Sequence, residues 1–205
     1  MLCQGQETIP VLVGDYSAWH RGRKDYSLWL IESDNEEICR HVEAAREHLS
    51  EFLIKPYRRQ PHITAFVCGF LVDTPHYDDD YGSGQFRVHA QALKDANVGP
   101  FFIEIGGLNS FSSAPFLEVN DLEGGIDTVR AILSTTAKEI ETSHFTPHIT
   151  VGLYSGAFSS SVVTRKISGF PANPIRIKVE RITFATYNAE KIADALTYRH
   201  EVALL

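Results

Sequence analysis

The 205-residue sequence predicts an α+β fold of two similar lobes, on three observations. The tetrapeptide Pro-His-Ile-Thr occurs twice, at residues 61–64 and 147–150, each time within a short apolar stretch that reads as a strand. Each copy follows a segment whose apolar residues recur at helical spacing, so the context is duplicated along with the motif. Strand-like and helix-like segments alternate with connections of varied length, the pattern of an α+β domain.

The elements follow in order. A first strand is expected at Tyr26 to Ile31, after an N-terminal extension up to Asp25 that carries the basic cluster Trp19-His20-Arg21-Gly22-Arg23-Lys24. A helix from Asn35 to Leu53 is indicated by Ile38, Val42, Ala45, Leu49 and Phe52 at steps of four and three, opened by the capping-box pattern Ser33-x-x-Glu36. The first motif strand runs through Leu71, and a loop follows with the acidic run Asp78-Asp79-Asp80 and Tyr81-Gly82-Ser83-Gly84. A helix is expected at Gln85 to Asn97, then strands near Phe101 to Ile105 and Phe116 to Val119. Ile126, Val129, Leu133, Ala137 and Ile140 mark a helix from Gly125 to Glu141. The second motif strand reaches Tyr154, and late strands lie near Ile175 to Thr186 and Tyr198 to Leu204.

The motif has a chemical reading. Side chains alternate along a strand, so His62 and Thr64 share one face while Ile63 takes the other, and the same holds for His148, Thr150 and Ile149. Two such strands side by side present two imidazoles and two hydroxyls to one cleft. In-line cleavage of a phosphodiester needs a base for the attacking oxygen and an acid for the leaving oxygen, and two imidazoles titrating near ~6.5 supply both. Threonine hydroxyls are neutral donors for the non-bridging oxygens. No metal or other cofactor is required by this scheme. By the same alternation Phe66 and Tyr154 fall on the cleft face, where either ring would stack a base.

These residues resemble the 2H phosphoesterases, named for two His-x-Thr/Ser motifs in two similar lobes. Pro100 to Phe111, with its Gly106-Gly107 turn, is similar to the strand and glycine turn between the lobes of the branch once called 2′-5′ RNA ligases, and Ile175 to Tyr187 is similar to that branch's late strand. The resemblance implies two antiparallel sheets around a central cleft with helices outside, and metal-independent hydrolysis of cyclic phosphates or 2′-5′ linkages. It makes His62 and His148 the acid and base, and Thr64 and Thr150 the phosphate-oxygen donors. The second motif continues as Val151-Gly152-Leu153-Tyr154, where many relatives carry a basic residue, so Arg58 and Arg59 become the nearest candidates to meet phosphate charge.

Composition bounds the rest. With 43% hydrophobic residues the chain fits one domain, residues 1–205 including the extension of 1–25, and its lack of an apolar run of ~18 residues or a signal sequence points to a cytoplasmic protein that engages no membrane. Cys3, Cys39 and Cys68 fit neither a disulfide framework nor a metal site. The net charge of −7 favours a nucleotide or an RNA end as partner over a grip on long nucleic acid. The acidic run reads as a solvated connection. The alternatives for it are a lid bearing Tyr77 and Tyr81, or metal ligands together with His76 in a metal-dependent phosphohydrolase. His41, His48, His89, His144 and His200 read as surface imidazoles. The rival to an enzyme is a nucleotide- or RNA-end-binding protein that keeps the cleft without turnover.

Overall fold

The computed structural model describes residues 1–11, 14, 16–140 and 145–205. A one-turn helix α1 (Ser17–His20) leads into β1 (Asp25–Glu32), helix α2 (Glu36–His48), the first motif strand β2 (His62–Val72), a short β3 (Asp80–Gly82) and helix α3 (Ser83–Asp95). The second half comprises β4 (Phe101–Ser110), β5 (Pro115–Asp121), helix α4 (Gly125–Ser134), the second motif strand β6 (His148–Thr150), helix α5 (Ser160–Ser168) and β7 (Ile175–Val179). Strands β8 (Arg181–Asn188) and β9 (Thr197–Ala203) then return to the first half.

Among the described residues the strands form one curled sheet in the order β7-β4-β5-β6-β2-β1-β8-β9, with β3 beside β2. Every neighbouring pair is antiparallel except β2 and β3. The two halves meet at the motif strands, where Ile63 pairs with Ile149, so hydrogen bonding is continuous across the lobes. Both isoleucines are fully buried in the main core with Trp29, Ile31, Phe66, Ile103 and Leu117. Each such side chain contributes ~1.5–3 kcal/mol of apolar burial, which pins the register of the motif strands. The other face of β1 is covered too: Leu28 and Leu30 pack with Ala185 and Leu196.

The helices exchange sides. Helix α4 leaves β5 in the second half but packs on β2 and α3 of the first. Helix α2 leaves β1 in the first half but reaches the second, where His48 Nε2 donates to the Lys166 carbonyl at 2.7 Å and Lys166 pairs with Glu51 at 2.9 Å.

Several boundaries differ from the sequence reading, each with a local cause. The cap of α2 is Asn35, whose side-chain oxygen accepts from the Ile38 amide at 2.9 Å, while Ser33 is buried two residues earlier. Helix α4 stops at Ser134 because the hydroxyls of Thr135 and Thr136 turn back to the carbonyls of Ile132 and Leu133. Chain beyond it lies along β2, with the Ile140 amide on the Val67 carbonyl. Glu141, the expected helix end, and His144 lie outside the described residues. Helix α5 and strand β3 add elements that the reading did not contain.

The acidic run is not the solvated connection that its composition suggests, since Asp80 is buried and both Asp79 and Asp80 are paired. Arg23 donates to Asp79 at 2.6 Å and to Asp80 at 2.5 Å, and its guanidinium lies 3.8 Å from the Phe70 ring centroid. The basic N-terminal cluster is thus anchored to the acidic loop, and Tyr81 is buried in the core while Tyr77 lies under Arg21 and Arg23. Gly69 makes this docking feasible: at φ 104° it brings its Cα so close to the Asp79 carbonyl that an added Cβ would sit 2.3 Å from that oxygen.

Candidate active site

The antiparallel pairing of Ile63 with Ile149 fixes the site. In such a ladder the residues flanking a pair face one another, so Thr150 stands across from His62, and Thr64 across from His148. With both isoleucines pointing into the core, the two imidazoles and two hydroxyls share the opposite face, related by an approximate two-fold axis. Thr64, Thr150, Val67 and Leu153 line two adjoining cavities, one of about 290 Å³ that contains His62 and one of about 460 Å³ that contains His148. Together these form a single cleft with an arm on either side of the threonines.

The two rings are oriented alike. His62 Nδ1 bonds the Gln60 carbonyl at 2.8 Å, and His148 Nδ1 bonds the Thr146 carbonyl at 2.7 Å, in each case two residues upstream. A carbonyl only accepts, so Nδ1 carries the proton and Nε2 is left for the cleft. Gln60 is itself held by Leu196, whose amide donates to the Gln60 side-chain oxygen at 2.7 Å. Burial pushes the His62 imidazole down to about 4 against the opposing pull of the Gln60 carbonyl, with Arg59 and His148 lowering it further. Burial also lowers His148, opposed by the Thr146 carbonyl.

The profile of the 2′-5′ RNA ligase superfamily matches residues 34–191, a span that includes both motifs. The chain belongs to that superfamily. Solved structures agree in fold. LigT of E. coli complexed with 3′-AMP aligns over 88% of this chain and 98% of its own, with a TM-score of 0.61 at 14% identity. LigT complexed with NADP+ gives a TM-score of 0.57 at 14% identity over 88% and 98% of the two chains. TT0787 of Thermus thermophilus gives 0.58 at 14% identity over 87% and 97%. No curated protein sequence matches the chain. Membership of this 2H superfamily fits the paired His-x-Thr strands, and no helix among the described residues is long and apolar enough to cross a membrane.

Within this 2H cleft the other candidate residues divide. Arg59 is present on the His62 side, its guanidinium 3.9 Å from the Tyr187 ring centroid and donating to the carbonyls of Ile192 and Asp194. No carboxylate among the described residues forms an ion pair with it. Arg58 is exposed and lines neither cavity, its amide on the Ala193 carbonyl.

Phe66 and Tyr154 are corrections. Trp29 pairs with Phe66 but the next residue, Leu30, pairs with Thr64, so Ala65 is an extra residue in β2. That bulge flips the alternation: Val67 joins His62 and Thr64 on the cleft face, and Phe66 turns into the core at 0% exposure. Strand β6 ends at Thr150, so the count that placed Tyr154 beside His148 fails. Tyr154 is buried, its hydroxyl 2.5 Å from Ser110 Oγ, and Leu153 lines the cleft in its stead. His89 is likewise no surface residue. It is fully buried, with Tyr81 Oη at 2.7 Å and Trp29 Nε1 at 3.2 Å from its Nδ1, and burial pushes it down to about 4.

Two arginines had escaped notice. Arg46 on α2 donates to the Val151 carbonyl at 2.9 Å, and Arg130 on α4 donates to the Ala65 carbonyl at 2.5 Å. Val151 and Ala65 each follow a motif threonine, so each helix holds the backbone just past the motif of the opposite lobe. Arg130 is fixed further by two contacts to Glu139, at 2.7 and 3.2 Å, and Glu139 accepts from the Val67 amide. The signal was in the sequence: Ala45-Arg46-x-x-Leu49 and Val129-Arg130-x-x-Leu133 occupy equivalent places in the duplicated helices.

Proposed function

We propose that the protein is a metal-independent phosphodiesterase that hydrolyses a 2′,3′-cyclic phosphate or a 2′-5′-linked nucleotide or RNA end by acid–base catalysis between His62 and His148. The observation that carries this reading is the matched pair of imidazoles, each with Nδ1 held by a main-chain carbonyl and each across a strand from a threonine of the other motif. Superfamily membership supports it, as do the 3′-AMP, NADP+ and ATP with which the structurally similar LigT is complexed.

The phosphoryl group sits between Thr64 and Thr150, whose hydroxyls donate to its non-bridging oxygens. One Nε2 accepts a proton from the attacking water, the new P–O bond forms, and the opposite P–O bond breaks as the other imidazolium gives its proton to the leaving oxygen. The product is a phosphomonoester with a free hydroxyl. Proton exchange with water restores the starting pair. The wider charge balance comes from Arg59 on the His62 side.

The test is hydrolysis, in the presence of EDTA, of a panel comprising 2′,3′-cyclic mononucleotides, a 2′-5′ dinucleotide and an RNA with a 2′,3′-cyclic end. Wild-type protein is expected to cleave at least one, and His62→Ala and His148→Ala each to lose at least ~10²-fold in rate with an unchanged circular dichroism spectrum. Activity that survives both single substitutions, or that vanishes with chelator, overturns the two-histidine scheme. Binding without cleavage moves the protein to the class of nucleotide-binding proteins.

A further inference from the structure

The two motif histidines are alike in what they bond and unlike in what holds their partner. Each accepting carbonyl lies two residues upstream of its ring with a single proline between, and the fixed φ of Pro61 or Pro147 keeps carbonyl and ring within a narrow range of orientations. At the first motif the chain adds a second restraint. The Gln60 side chain forms a two-point clasp with the main chain of Leu196: its oxygen accepts from the Leu196 amide at 2.7 Å, and its nitrogen donates to the Leu196 carbonyl at 3.1 Å. Leu196 is buried with Leu28, Leu30 and Ala185, which ties the clasp to the sheet. On the other side of Gln60, the Pro61 carbonyl accepts from the Ser33 amide at 3.2 Å. Among the described residues no comparable clasp is made by Thr146, which stands at the equivalent place before His148 and lines the His148 arm. The difference follows from topology: β8 and β9 return to the first half, and the connection between them, residues 189–196, brings Leu196 there.

Resting on the phosphodiesterase reading above, we infer that Gln60 is a positioning residue for His62 alone: clasped to Leu196, it aims its main-chain carbonyl so that the ring keeps its proton on Nδ1 and presents Nε2 to the cleft for proton transfer. The tautomer of a neutral imidazole is set by the bond that the other nitrogen makes. A carbonyl released from its place lets the proton pass to Nε2, and a neutral ring in that form has no lone pair there to accept a proton. The clasp is one part of a longer seam. The Arg58 amide bonds the Ala193 carbonyl, Arg59 Nε bonds the Asp194 carbonyl, and Ile192 of the same connection lines the His62 arm. Those contacts do not involve the Gln60 side chain, so substituting it loosens the carbonyl while the connection stays attached.

The experiment pairs nitrogen NMR of the imidazole rings with steady-state kinetics on wild type, on Gln60→Met, which keeps the length without the amide, and on Gln60→Glu, which keeps the acceptor for the Leu196 amide. Spectra are taken well above the ~6.5 of a free imidazole, where both rings are neutral. In wild type both His62 and His148 are expected to show a protonated Nδ1 and a bare Nε2. In Gln60→Met the His62 nitrogens should move toward a mixture of tautomers while those of His148 stay in place, and kcat should fall about ten- to a hundredfold with KM within about twofold. Gln60→Glu should lie between the two proteins in both readouts. A His62 ring that keeps its Nδ1 proton in Gln60→Met, nitrogens of both histidines that move together, or an unchanged kcat overturns the assignment, and Gln60→Glu is judged by the same criteria should Gln60→Met fail to fold. If wild type cleaves no phosphodiester of the panel, the phosphodiesterase reading fails by itself, and the nitrogen spectra alone decide whether Gln60 fixes the ring.

Discussion

At His62 and His148 burial favours the neutral ring, so the free cleft rests without the imidazolium that the proposed mechanism asks of its acid. A phosphodiester anion between the rings reverses that balance, because nearby negative charge stabilises the protonated form. Substrate binding is therefore expected to take up a proton, read as a binding enthalpy that changes with the ionisation heat of the buffer. Arg59 makes the two rings unequal. Its charge disfavours imidazolium at His62 and is not among the causes of the His148 shift, so within the proposed mechanism His62 is expected to serve as the base. Arg59→Gln removes that charge, so the His62 value should rise in an NMR titration while His148 moves less. Because a base works deprotonated, the acid limb of the rate profile should shift to higher pH by the same amount. A limb that stays in place, or a larger movement at His148, would reverse the assignment.

At the scale of elements, the motif strands are held by helices that belong to the other lobe. Arg46 lies outside both arms of the cleft, so its substitution tests positioning apart from substrate contact. Arg46→Ala releases the Val151 carbonyl just past Thr150, and a displacement of the threonine on the order of an ångström is expected to lower kcat about ten- to a hundredfold with little change in KM. Arg130→Lys should recover only part of what Arg130→Ala loses, since an ammonium cannot span the Ala65 carbonyl and both Glu139 oxygens as the planar fork does. An unchanged kcat in Arg46→Ala would make that arginine a stabilising contact alone. The same elements show what a sequence discloses. The motif strands and the apolar stripes of α2 and α4 were legible because period and repetition are local properties. The bulge at Ala65 was not, since no glycine or proline marks it and it exists only relative to β1. Nor was the end of β6, which lost Tyr154 to the core. Helix α5 escaped because Val163 and Ile167 alone give it a thin apolar stripe, and the bond between Arg23 and Asp79–Asp80 joins residues 56 and 57 positions apart.

For the molecule as a whole, the buried imidazoles set its response to acid. His89 is enclosed by Trp29 of β1, Phe66 of β2 and Tyr81 of β3, so three strands and α3 close over one titratable ring. Its folded value, like that of His62, is pushed down to about 4, below the ~6.5 of an unfolded chain. Between those values the unfolded state binds more protons, so unfolding free energy increases with pH and stability is lost as pH falls through that window. A ring with these values contributes a loss of about 2 kcal/mol between pH 7 and pH 5, and two such rings about 4 kcal/mol, a large share of the ~5–15 kcal/mol that holds a typical domain together. His89→Gln keeps a polar partner for the Tyr81 hydroxyl but cannot titrate. Urea unfolding at the two pH values is expected to show the variant less stable than wild type at pH 7, through its poorer fit, yet losing about 2 kcal/mol less on going to pH 5. Equal losses in both proteins would mean that His89 does not titrate in this range, and that the acid response comes from the cleft histidines, which a bound phosphodiester would then suppress.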